Sequence, residues 1–174
     1  CRFYPANFHL VFQKWVKQVQ SRGKIGLVLA SNPGKAQDLI QLLGPTVDIR
    51  APRSIRRQND AYRSIGVKIP TCRDFRGTAH NGDIVIWPKH LATSSVIKRL
   101  QNTDVAVVSG FISKNDGVLR NARHFPWSGR ADFPDLLAYT ERWEPKMVLT
   151  VGAHASTLAR ELSGKGFRST PLLQ

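Results

Sequence analysis

Ile25-Gly26-Leu27-Val28-Leu29-Ala30-Ser31-Asn32-Pro33-Gly34-Lys35 joins an unbroken apolar run to the start of a helix. Six apolar residues without alternation predict a strand buried on both faces, as strands of parallel sheets are. Ser31-Asn32-Pro33 then supplies a cap followed by proline at the first helical position. Ala36, Leu39, Ile40, Leu42 and Leu43 continue as a helix that Gly44-Pro45 should stop. Upstream, Phe8, Val11, Phe12, Trp15, Val16 and Val19 fall on one helical face, with Lys14, Lys17 and Gln18 elsewhere. Downstream, Ile84-Val85-Ile86-Trp87, Val105-Ala106-Val107-Val108 and Met147-Val148-Leu149 read as further strands. Helices are predicted near residues 54 to 65, 93 to 101, 134 to 142 and 155 to 163. Such alternation predicts an α/β fold with a mostly parallel sheet flanked by helices.

At 174 residues, 41% hydrophobic and 22% charged, the chain can bury a substantial core, and disorder is excluded as a default. Lys plus Arg outnumber Asp plus Glu by 26 to 12, giving a net charge of +14. With a pI near 10.6, that points to a polyanionic partner, nucleic acid above all. The only cysteines, Cys1 and Cys72, form no Cys-x-x-Cys and suit a reducing compartment. No apolar run approaches the roughly 18 residues of a membrane helix, and no signal-peptide core opens the chain. The expectation is an intracellular protein off the membrane. Starting at Cys rather than Met fits a processed or partial chain.

Two segments carry a resemblance: Ser128-Gly129-Arg130-Ala131-Asp132-Phe133 and Val148-Leu149-Thr150-Val151-Gly152. Around them stand Arg22-Gly23-Lys24, Gly34-Lys35-Ala36-Gln37, Asn59-Asp60-Ala61-Tyr62-Arg63 with Gly66-Val67 and Pro70-Thr71, and Val108-Ser109-Gly110-Phe111. Leu136-Leu137, Leu158-Ala159-Arg160, Leu162, Gly166 and Pro171-Leu172 complete the series. In order and spacing the chain resembles the metallo-β-lactamase/β-CASP nucleases, nearest the ligase-associated DNA exonucleases. The resemblance implies a β-CASP-type domain over residues 1 to 122. From 123 to 174 it implies the carboxy-terminal return into the metallo-β-lactamase fold, whose strand would normally lie beside strands of an amino-terminal half. That half, with the family's His-x-His-x-Asp-His cluster, has no counterpart here, so neighbouring proteins are expected to cover an incomplete sheet edge.

The same comparison implies a degenerate site. Gly129 stands where the family has aspartate, Arg130 where it has an acid-base histidine, and Val151 where it has a metal-binding histidine. Arginine stays protonated and cannot exchange a proton at neutral pH, but it can hold a phosphate. A valine at the last position alone would not settle inactivity, because DNA-acting branches of the family also carry it. A hydrolytic metal site needs several converging His, Asp or Glu ligands. His9, His80, His90, His124 and His154 are scattered, with no His-x-His or His-x3-His pair. No metal, no cofactor and no catalytic residue are expected. Asp132 reads as a cap for the helix opening at Phe133-Pro134. Gly34-Lys35 fails as a nucleotide phosphate loop, since Leu29 and Ala36 occupy the positions that need glycine and a hydroxyl. A minor backbone-phosphate contact at that helix start stays open.

Positive function rests on arginines. Arg50, Arg53, Arg56, Arg57 and Arg63 fall in one strand-loop-helix stretch, and Arg120, Arg123 and Arg130 surround the former site with His124 and Trp127 among them. Guanidinium groups pair bidentately with phosphate and stack on bases, so these eight are the expected nucleic-acid contacts, RNA favoured over DNA. The bland alternative is a solvated charged face. Trp15, Trp87 and Trp143 read as core, and Trp127 as an open stacking position. Three functions follow. The first is a catalytically inactive β-CASP-like protein, structural in a large ribonucleoprotein such as an organellar ribosome, hence in the mitochondrial matrix. The second is the carboxy-terminal part of a metal-dependent DNA exonuclease whose catalytic half is not in this chain. The third is a protein scaffold whose charge is incidental.

Overall fold

The computed structural model describes residues 8–110, 121–127 and 131–172. They form two compact units, one of 8–110 with 121–127 and one of 131–172.

In the first unit the apolar helix face predicted at the start becomes α1 (Phe8–Ser21), which leads into β1 (Ile25–Ala30), buried at every position. α2 (Lys35–Leu43), β2 (Ile49–Ala51), α3 (Arg53–Ser64), β3 (Arg73–Asp74) and β4 (Ile84–Pro88) follow. A 3-10 turn (Lys89–Leu91), α4 (Ser95–Lys98), β5 (Thr103–Ser109) and β6 (Arg123–Pro126) complete it. The strands form one six-stranded sheet in the order β3-β2-β4-β1-β5-β6, and every neighbouring pair is parallel. β1 therefore has hydrogen-bonded neighbours on both sides, which is why it contains no polar side chain. The first unit reaches Trp127, since Arg123–Pro126 pairs with Ala106–Ser109 at the sheet edge.

Alternate strand positions build two cores. Val28, Ala30, Ile84, Ile86, Ala106, Val108 and Phe125 pack against Phe12, Trp15, Val16 and Val19 of α1, the apolar side of α2, and Ile55 of α3. Gly26 permits this closeness: a Cβ there would lie 2.5 Å from Ile84 Cδ1 and 3.3 Å from Val19 Cγ1. On the opposite face Leu27, Leu29, Val85, Trp87 and Val107 meet Phe75 and the side chains of the α4 region. Each fully buried aliphatic side chain contributes roughly 1.5–3 kcal/mol.

Two local expectations change. α2 starts at Lys35, two residues after Pro33, because Gly34 intervenes with φ +107° and so lies outside the helix. The helix predicted over 93 to 101 shrinks to Ser95–Lys98. Thr93-Ser94-Ser95 has too little apolar periodicity to extend it, and Ser94 makes no side-chain cap bond.

In the second unit α5 (Phe133–Trp143) precedes β7 (Val148–Thr150), α6 (Ala155–Gly164) and β8 (Ser169–Pro171). β7 and β8 pair in parallel as a two-stranded sheet. Ala155, Ala159 and Leu162 of α6 are buried, and the Thr150 hydroxyl donates to the Ala155 carbonyl at 2.8 Å. Asp132 caps α5 as expected: its carboxylate accepts from the Asp135 N–H at 3.0 Å, and Asp135 accepts from the Asp132 N–H at 3.1 Å.

Candidate nucleic-acid interface

In a parallel sheet, the residues that follow each strand gather along one edge. Here that edge receives the starts of α2, after β1, and of α3, after β2, with Asp74-Phe75-Arg76 closing β3. The β1–α2 turn is fixed by a buried polar network. Gln37 and Asn59 are 3% and 1% exposed, and the Gln37 amide donates to Asn32 Oδ1 and Asn59 Oδ1, both at 3.1 Å. Gln37 Oε1 accepts from the Gly34 N–H at 2.8 Å, and Asn59 Nδ2 reaches Cys72 Sγ at 3.7 Å. Burial pushes the Cys72 thiol up, against opposing pulls from Arg63, Asn59 and Arg56.

This network bears on the minor phosphate contact. The N–H groups of Ala36, Gln37 and Asp38 already donate to Ser31 and Gly34 carbonyls. Helix starts bind anions through unsatisfied N–H groups, so this turn offers an incoming phosphate little beyond the Lys35 ammonium.

The predicted arginines divide by what they touch. Arg50 on β2 pairs with Asp83 at 2.5 Å, and both side chains are less than one-fifth exposed. Asp83 also accepts from the His80 N–H at 2.7 Å. Arg63 is a clamp: its guanidinium donates to the Ile69 and Pro70 carbonyls at 2.9 and 2.7 Å and to Asp60 at 2.7 Å, tying α3 to the chain that follows it. Arg56 pairs with Asp74 at 2.8 Å, and Arg76 meets the other oxygen of that carboxylate at 2.6 Å. Arg76's hydrogen bond, followed by the charge of Arg56, holds the Asp74 carboxyl below its ordinary value.

Arg53 and Arg57 are different. One turn apart on α3, both are exposed and neither makes an ion pair among the described residues. Arg123, also exposed, lies with its guanidinium 5.3 Å from the Phe125 ring centroid. Arg120, Gly129 and Arg130 lie outside the described residues. Val151 follows β7 and is 67% exposed.

Charge pairing separates the cations that have a carboxylate partner from those left without one. Asp48, Asp60, Asp74, Asp83 and Asp104 each hold at least one arginine or lysine. Lys14, Lys17, Lys68, Lys98 and Arg99 do not cluster in the sequence as the arginines do, yet all are exposed on the same unit. The missing signal is three-dimensional: only the fold shows which cations the few carboxylates take up.

Trp127 is half-buried, with its ring 4.7 Å from Phe8 and 5.7 Å from His9 between centroids, so packing partners already hold it. Trp15 and Trp87 are core at 5% and 8% exposure, whereas Trp143, read as core, is 64% exposed. Its helix buries only Thr140. Among the described residues no three His, Cys, Asp or Glu side chains come together as a group that could hold a metal. No helix among them is long and apolar enough to cross a membrane.

No family model matches the chain. It is similar to a probable DNA ligase of Opitutus terrae, 26% identical over 139 residues, or 78% of this chain. The chain spans 14% of the length of that relative.

Proposed function

We propose that this chain is a catalytically inactive, β-CASP-like protein that binds nucleic acid as a structural part of a larger assembly. One observation carries the reading: the whole net charge belongs to one part of the chain. Residues 1–130 hold 21 basic and 7 acidic side chains, whereas residues 131–174 hold five of each. The paired aspartates of the first unit leave Arg53, Arg57 and the exposed lysines to meet phosphates, which respond to charge rather than to base sequence. Similarity to a DNA ligase supports a nucleic-acid partner.

The second unit supports the assembly. Leu136, Tyr139 and Trp143 of α5, Met147, Leu149 and Val151 along β7, and Leu172 are each at least 39% exposed. Among the described residues β7 pairs only with β8. An apolar strand with an open edge calls for a neighbouring protein surface. An RNA-containing particle, with the organellar ribosome as the expected case, would supply both partners.

The test is isolation of the native protein in mild salt, followed by sedimentation and identification of the RNA, DNA, protein and metal that accompany it. Co-migration with a large RNA-containing particle without stoichiometric metal is the expected outcome. A second reading, part of a longer metal-dependent DNA exonuclease, is favoured by the short span of the DNA ligase that the chain covers. A metal-carrying species that degrades DNA ends would establish it and remove the first.

A further inference from the structure

Opposite the α2 and α3 starts, the amino-terminal ends of β1, β5 and β6 frame a cavity of about 450 Å³. Arg22, Lys24, Thr103, Asp104, Asn121 and Arg123 line it. Three cations thus face one carboxylate. Asp104 has both oxygens engaged, Oδ1 by Lys24 at 2.6 Å and Oδ2 by Arg22 at 3.7 Å. It orients these two cations without cancelling the third. Arg123 makes no ion pair among the described residues and rests on the Phe125 ring, which leaves its N–H edge available.

The frame is rigid because it is made of strand starts. Lys24 precedes β1 and is held by two backbone hydrogen bonds, its N–H to the Val19 carbonyl at 3.1 Å and its carbonyl from the Gly82 N–H at 2.9 Å. Ile25 stands beside Thr103 in the β1–β5 register, and Arg123 beside Ala106 in the β5–β6 register.

We infer that this cavity is a binding site for a phosphoryl group. Its formal excess of two positive charges matches a phosphate monoester, which carries about −1.5 to −2 at neutral pH. A carboxylate would leave one cation uncompensated. Asn121 and Thr103 add neutral donors for a tetrahedral anion with three oxygens to satisfy, and the guanidinium forks bind such oxygens in pairs. The phosphoryl group, a monoester, can come from the terminal phosphate of a nucleic-acid strand or from a small phosphorylated molecule. The site lies on the sheet edge away from Arg53 and Arg57, so it does not rest on the proposed function.

The probe is inorganic phosphate, titrated into the labelled full chain at constant ionic strength while backbone amide resonances are followed. Saturable shifts are expected at Lys24, Thr103 and Arg123. Arg123→Ala and Arg22→Ala, both at exposed positions, should each weaken binding by about tenfold or more, with the rest of the spectrum unchanged. Shifts that grow without saturation, spread over every exposed cation, or survive both substitutions overturn the inference. A 5′-phosphorylated single-stranded oligonucleotide that displaces phosphate from these amides, where its unphosphorylated counterpart does not, identifies a nucleic-acid end as the source. Failure to displace it identifies a small phosphorylated ligand. Phosphate binding in a chain that binds no nucleic acid would leave this site standing and sink the proposed function.

Discussion

The two units differ in what they leave on the surface. In the first, six parallel strands are packed on both faces, five aspartates are paired with arginines or lysines, and the exposed charge left over is cationic, beside isolated apolar side chains at Leu10, Ile65 and Leu91. In the second, a neutral segment of one short sheet and two helices turns Tyr139, Trp143 and Val151 outward, each more than three-fifths exposed. Cationic surface attracts from a distance and is screened by salt, whereas apolar surface acts only on contact and is not. The difference teaches that the two kinds of partner we propose would be met by different surfaces, and that salt should separate them.

Substitutions can break that comparison. Ile86, fully buried in β4, should cost about 2–5 kcal/mol on Ile86→Ala in a denaturant titration. Leu149→Ser in β7 should change stability by less than about 0.5 kcal/mol, because Leu149 is half exposed. Equal losses would mean that the β7 face is covered within the chain itself. Next in size, Asp83→Ala strands the largely enclosed Arg50 guanidinium and should cost about 2–3 kcal/mol. A loss typical of a surface pair would show instead that Arg50 relaxes into water. Asp132→Ala removes the α5 cap and should cost about 1 kcal/mol, read as lost helicity and lowered melting temperature.

The smallest effect is linked to pH. Cys72's folded pKa is raised above its ordinary value of 9.0, so the folded state holds this proton more tightly. The associated stability is complete below that value and lost as pH rises through the folded one. The stability advantage of the parent over the Cys72→Ala chain should therefore shrink as pH rises through that range. Parallel curves would refute the linkage.

Much of the sheet was legible in sequence because burial on both faces forces unbroken apolar runs: Ile25–Ala30 and Ile84–Trp87 could hardly be anything else. Asp132 was legible because a cap is local chemistry. The start of α2 was not, since Gly34 takes a positive φ and its N–H is held by Gln37, whose amide in turn bonds Asn59, 22 residues away. Neither was the division of the arginines. Arg50 and Asp83 are 33 residues apart and meet only because β2 pairs with β4. The Arg22, Lys24 and Arg123 cavity was hidden for the same reason. Trp143 misled because aromatic residues are usually buried, and its exposure became visible only once α5 was seen to bury a single residue.

The salt dependence of nucleic-acid binding by the parent chain and by the double variant Arg53→Ala, Arg57→Ala is the most direct test of a cationic nucleic-acid surface. Affinity for RNA and DNA should fall steeply with salt, and the variant should bind more weakly with a slope of log K against log salt shallower by about 1.4–1.8, for two lost phosphate contacts. Binding that ignores salt, or an unchanged slope in the variant, would contradict it.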